Sequence, residues 1–204
     1  VDWPPRIVAT LGRLSIDLYK AGSLHAAALV LDKALDMTRR ADMNQAEREA
    51  SLSEVAVATA EAGQLDEALG LITGIDNQSL RRPVLTAAAG VLARNGDSAR
   101  ALMAAKEITD ARYRSVAYSD IAVAFEGGGD RARALTTVRL ALDATEAIDA
   151  KYSFAKGYAI SRASLALIAM KALPEALAVA RNIEDAALRT KALWVVAAAQ
   201  ARAG

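Results

Sequence analysis

Large apolar residues recur along this chain at steps of three, four and seven, and the same pattern restarts several times. Counted back from a series of short turns, Leu11, Leu52, Leu85, Tyr118, Ile160 and Leu193 stand eleven residues before the turn. Leu14, Val55, Ala88, Ile121, Ala163 and Val196 stand eight before it. The position seven before is always small: Ser15, Ala56, Ala89, Ala122, Ser164 and Ala197. Four before come Leu18, Thr59, Leu92, Phe125, Leu167 and Gln200. These are the steps of one helical face. A small side chain at a fixed place in an apolar stripe lets a second helix backbone come close. Each unit therefore predicts a helix A, a tight turn, and a helix B folded back on it.

The turns carry their own signature. Gly22, Gly63, Gly96 and Gly129 sit in KAGSL, EAGQLDEAL, RNGDSARAL and GGGDRARAL. Lys171 in MKALPEAL occupies the next such slot, and Gly204 the one after, so the spacings are 41, 33, 33, 42 and 33 residues. Five residues past each turn an Ala recurs, at Ala27, Ala68, Ala101, Ala134 and Ala176. Nineteen before the turn lie Asn44, Asn77, Asp110, Tyr152 and Asp185, of which all but Tyr152 are good helix N-caps. Arg48, Arg81, Arg114, Lys156 and Arg189 follow four further on, a pairing that would tie one unit to the next. Pro174 suits the first turn of a helix B, whereas Pro83 is expected to shorten or bend a helix A. One helix pair buries a single face, so neighbouring pairs must stack.

Composition narrows the chemistry. The chain has 204 residues, 53 % of them hydrophobic and 24 % charged, and about a quarter are Ala, the strongest helix former. With 25 Lys plus Arg against 24 Asp plus Glu, the net charge is +1, which gives no strong pull toward nucleic acid or an anionic membrane. There is no Cys, so disulfides, thiolate metal sites and a Cys nucleophile are excluded. His25 is the single histidine, which excludes a two-His metal site. No cofactor and no metal are expected. The longest apolar run, Leu193 to Ala199, is far short of the roughly 20 residues that span a bilayer. No signal peptide is visible. The chain begins at Val1, which fits either a removed leader or a piece of something longer, and the compartment stays open between cytoplasm and periplasm.

The stripe of large residue, Leu–small pair and large or aromatic residue, then a turn Gly and two helix-B alanines, resembles the tetratricopeptide repeat (TPR). The first and fourth units carry it best, as Leu11, Leu14-Ser15, Leu18, Gly22, Ala27 and Ala34, and as Tyr118, Ile121-Ala122, Phe125, Gly129, Ala134 and Ala141. Units two, three and five place Ile75, Ile108 and Ile183 where the second Ala would fall. The resemblance covers about residues 6–204, and the 41- and 42-residue units look like extended repeats with longer helices. It implies an all-α, right-handed α-α superhelix: a TPR-like solenoid of about five helix-turn-helix repeats plus one extra C-terminal helix. The whole of 1–204 is then one repeat domain, alone or as part of a longer array.

By that resemblance the protein is a non-enzymatic scaffold that binds a peptide or partner protein in a groove lined by the A helices. The groove rows carry over by position. Ten before the turn lie Gly12, Ser53, Thr86, Ser119, Ser161 and Trp194; thirteen before lie Ala9, Ala50, Pro83, Val116, Tyr158 and Lys191. The rows three and two before contribute Tyr19 and Glu126, and Arg94. The candidate binding residues are thus Tyr19, Ser53, Thr86, Arg94, Ser119, Glu126, Tyr158, Ser161 and Trp194. The ten-before row lacks the Lys, Asn and Arg of TPRs that clamp a terminal carboxylate. Pentatricopeptide repeats, which bind single-stranded RNA, share the turn and read bases at that row, but the near-zero net charge and the 41- and 42-residue units argue against them. A ligand- or peptide-sensing domain is a further reading. An enzyme of the helical-barrel kind lacks clustered carboxylates.

Other features read more plainly. Gly127-Gly128-Gly129-Asp130 has no strand before it and no Lys after it, so it is a turn rather than a phosphate loop. Glu47-Arg48-Glu49 and Arg131-Ala132-Arg133 read as solvated faces. Tyr113, Tyr118, Phe125, Tyr152, Phe154 and Tyr158 crowd the fourth and fifth units, and most are expected in the core, with Tyr158 and Trp194 as exposed anchors. The last helix is apolar nearly all round and has no helix B after it. That face suits self-association or a partner, or further repeats.

Overall fold

The computed structural model describes residues 4–39 and 43–203. Gly204, the last turn slot of the sequence pattern, lies outside the described residues. Among these the chain is all helical, with eleven α-helices. The A helices are α1 (Pro4–Lys20), α3 (Gln45–Glu61), α5 (Gln78–Arg94), α7 (Ala111–Gly127), α9 (Ser153–Ala169) and α11 (Ala186–Ala203). The B helices are α2 (Leu24–Thr38), α4 (Leu65–Leu71), α6 (Ser98–Lys106), α8 (Arg131–Glu146) and α10 (Leu173–Arg181). The chain divides into two compact units, Val1–Val91 and Leu92–Gly204, with the boundary inside α5.

The uneven period has a simple cause. The first five A helices are 17 residues long and α11 is 18. The B helices vary: α2 and α8 run 15 and 16 residues, α4, α6 and α10 only 7, 9 and 9. The long units gain about two turns of helix B. Pro83 does not shorten its helix: α5 runs the full 17 residues with Pro83 exposed inside it.

All five A–B turns have the same geometry. Among the described residues a positive φ occurs at Gly22, Gly63, Gly96 and Gly129, between 79° and 81°, and at Lys171, at 56°. Each of these donates its N–H to the carbonyl three residues back, and the next residue donates to the carbonyl five back, as in Gly129 to Glu126 and Asp130 to Phe125. This double bond closes a helix C-terminus and needs a left-handed residue. Lys171 therefore fills a glycine slot at the cost of backbone strain. The residue after the turn also starts helix B, where Asp97 and Asp130 accept from the N–H groups of Arg100 and Arg133.

Helix pairs close on the small slot. Ser15 and Ser164 donate to the carbonyls of Ala27 and Ala176 at 3.0 and 3.1 Å, and all five helix-B alanines are buried. Where helix B is short, a connector isoleucine fills the space instead: Ile75, Ile108 and Ile183 are fully buried. Burying one such side chain contributes about 1.5–3 kcal/mol. In the first unit Val8, Leu31, Ala34, Met43, Val55 and Ala58 form one core cluster.

The expected caps hold at Asn44, Asn77, Asp110 and Asp185, whose side chains accept from Glu47, Ser79, Arg112 and Leu188. Of the arginines that follow, Arg114 and Arg189 donate to the carbonyls of Ile108 and Ile183, which pins the connector. Glu49 is no solvated face either. It is buried, and it accepts from the Asn77 N–H and from Gln45 Nε2, both at 3.0 Å. Of the six crowded aromatics only Tyr118 and Phe125 are buried; Tyr113, Tyr152, Phe154 and Tyr158 are exposed. Tyr113, Tyr152 and Phe154 sit at the connectors where the A helices begin.

Candidate functional site

The ten-before row turns away from solvent in the middle of each unit. Ser53 is buried and donates to the Leu80 carbonyl at 2.7 Å, bridging α3 to the next A helix. Ser119 is buried and donates to the Ser115 carbonyl at 3.1 Å. Thr86 and Ser161 are half-buried and return their hydroxyls to Arg82 and Tyr158 carbonyls within their own helices. Only at α11 does the row emerge: Trp194 is 75 % exposed. On the same helix Ala197 is exposed, whereas its counterparts Ala56, Ala122 and Ser164 are buried under a helix B.

The other sequence candidates fall in three clefts. Tyr19 lines a shallow one in the first unit, with Leu24, Leu31 and Gln64. Arg94 lines one of about 510 Å³ at the turns of the second unit, beside Gly96, Ser98, Gly128 and Arg133. Glu126 is near that turn; one carboxylate oxygen meets Arg131 at 3.3 Å and the other is buried without a partner. Tyr158 and Ser161 share the third cleft, between α9 and α11, with Leu165, Ile168, Leu188, Lys191 and Val195. The structure thus brings Tyr158 and Ser161 together and leaves the rest apart.

Two rows that matter on this face were not singled out from sequence. Six before the turn lie Val123 and Leu165, 42 % and 40 % exposed. Nine before lie Asp120, Arg162 and Val195. Asp120 accepts from Arg162 across the α7–α9 gap, and that bond holds the guanidinium pKa above its ordinary value although burial works against it. The signal was present, since the six-before row reads Ile16, Val57, Gly90, Val123, Leu165 and Ala198 without one charge.

A second surface feature lies where α7 and α9 begin. Arg112 grips Asp110 at 2.6 Å and lies 4.2 Å from the centroid of the Tyr152 ring, a cation–π stack. The bond to Asp110 raises the Arg112 pKa. On α7, burial pushes the Tyr118 phenol above its usual value, with Arg114 opposing. Among the described residues no group of three or more His, Asp or Glu could hold a metal, and no helix is long and apolar enough to cross a membrane.

These helix–turn–helix units define an all-α helical-repeat protein. The chain aligns with the solved structure of a Podosopora anserina protein described as a kinesin light chain with nearly identical TPR-like repeats, at 16 % identity and a TM-score of 0.49 over 100 % of this chain and 98 % of that one. No protein-family profile and no curated protein matches the chain by sequence.

Proposed function

We propose that this protein is an interaction scaffold that holds a peptide or partner protein on its A-helix faces. The observation that carries the reading is the α9–α11 cleft with its rim: Leu165 and Tyr158 stand exposed on α9, with a few polar groups at the edge. Exposed apolar and aromatic side chains on a rigid surface are the anchors from which interfaces are built. Nothing in the arrangement pairs a nucleophile with a base. The RNA reading is weakened by the ten-before row, because Ser53 and Ser119 spend their hydroxyls on backbone carbonyls.

Trp194, 75 % exposed on α11, offers a second surface of this reading, for self-association or a further partner contact. Benzoylphenylalanine placed at Leu165, at Trp194, and at exposed Met103 on a helix B tests both surfaces. Discrete, nuclease-resistant protein adducts from 165 or 194 but not from 103 are expected. Adducts to RNA from 165 would overturn the scaffold in favour of nucleic-acid binding, and adducts of the chain to itself from 194 alone would assign α11 to self-association.

A further inference from the structure

The α9–α11 cleft has a charge character that its polar rim does not reveal at first sight. Arg162 and Lys191 both line it, and no carboxylate does. Arg162 turns one end toward Asp120, while its Nε is buried with no hydrogen-bond partner. Lys191 is exposed and forms no ion pair with any described residue. Between these cations the walls are apolar: Leu165 and Ile168 from α9, Leu188 and Val195 from α11. The cleft measures about 260 Å³, below the roughly 300–1,000 Å³ of pockets that enclose a drug-sized ligand. It has room for a large side chain, with the rest of its owner running outside.

We propose that this cleft binds a peptide segment of a partner protein in which a large apolar side chain is flanked by a carboxylate. The apolar group enters between Leu165 and Val195. The carboxylate lies on Lys191, with the Arg162 edge next to it. The inference rests on the scaffold reading and names the chemistry of its partner. A solvent-exposed cation beside an apolar slot favours an acidic segment and disfavours a basic one, so charge adds specificity more than affinity here.

Fluorescence anisotropy on the full chain tests it, with two fluorescein-labelled short peptides as probes, one alternating leucine with glutamate and the other leucine with glutamine. The glutamate peptide is expected to bind about tenfold tighter. Lys191→Glu removes that preference, whereas Arg181→Glu, an equal charge reversal on exposed α10, keeps it; both variants melt as the parent does. Equal affinity for the two peptides overturns the inference and leaves the scaffold standing. A preference that survives Lys191→Glu overturns it also. Binding of neither peptide, together with no protein adduct from position 165, ends both.

Discussion

Two neighbouring clefts in the second unit are built on one register and end differently. Between α7 and α9 the nine-before row pairs Asp120 with Arg162, and the gap is latched. Between α9 and α11 the same row offers Val195, which cannot answer Arg162, and the gap stays open. The packing of the two A helices differs as well. At fourteen before the turn, Ser115 donates to the Ala141 carbonyl of the long α8. At the same place α9 has Gly157, where an added Cβ would meet Leu188 and Ile183 at 3.1 and 3.2 Å. Ile183 reaches that spot because α10 ends early. A shared repeat frame fixes where helices stand, then, and single residues in two rows decide whether the space between them is filled.

That helix packing is where the comparison breaks most easily. Ile183→Ala removes a fully buried side chain wedged against Gly157 and should cost about 3 kcal/mol, read as a lower midpoint in urea. Closing the open cleft is milder. Val195→Asp sets a carboxylate one helical turn past Lys191 and opposite Arg162, and should weaken binding of the leucine–glutamate peptide by about tenfold, with stability changed by less than about 1 kcal/mol. An unchanged affinity would mean that the cations do not meet the peptide. Opening the latched cleft runs the other way. Asp120→Asn frees Arg162 for the peptide and should tighten it by about threefold, with a stability loss under about 1 kcal/mol because the pair is 36 % and 41 % exposed.

The frame itself was legible in the sequence, and the site was not. The five turn slots, Lys171 included, the caps at Asn44, Asn77, Asp110 and Asp185, and the small slots at Ser15 and Ser164 all follow from local chemistry that a single chain displays. Which face a row presents depends on how neighbouring helices cross, and a step of one residue rotates a helix by about 100°. So Ser53 and Ser119, assigned to a groove by position, are buried, Ser53 bonded to the next A helix and Ser119 to its own. Asp120 and Arg162, one residue further along, reach into the open. The buried Glu49 was illegible for a related reason: its partner is the N–H of Asn77, 28 residues away. The exposed Tyr152 and Phe154 misled because aromatic content argues for a core only when a slot in the stripe receives it.

The smallest effect separates the frame from its contents. The turn under the latched cleft uses Gly129 at φ 81°, and the turn under the open one uses Lys171 at φ 56°. A side chain in the left-handed region costs about 1–2 kcal/mol. Glycine there relieves that strain but gives back about 0.4–1 kcal/mol through the greater freedom of the unfolded chain. Lys171→Gly should therefore stabilise the protein by about 0.5 kcal/mol, a rise of about 1–2 °C in the thermal midpoint for a chain of this size. Gly129→Lys should lower it by a similar amount, since an added Cβ at that position meets nothing within 4 Å and only the backbone is strained. Neither change touches the cleft walls, so the peptide should bind both variants as it binds the parent. A shift in affinity with Lys171→Gly would show instead that the turn sets the spacing of α9 and α11.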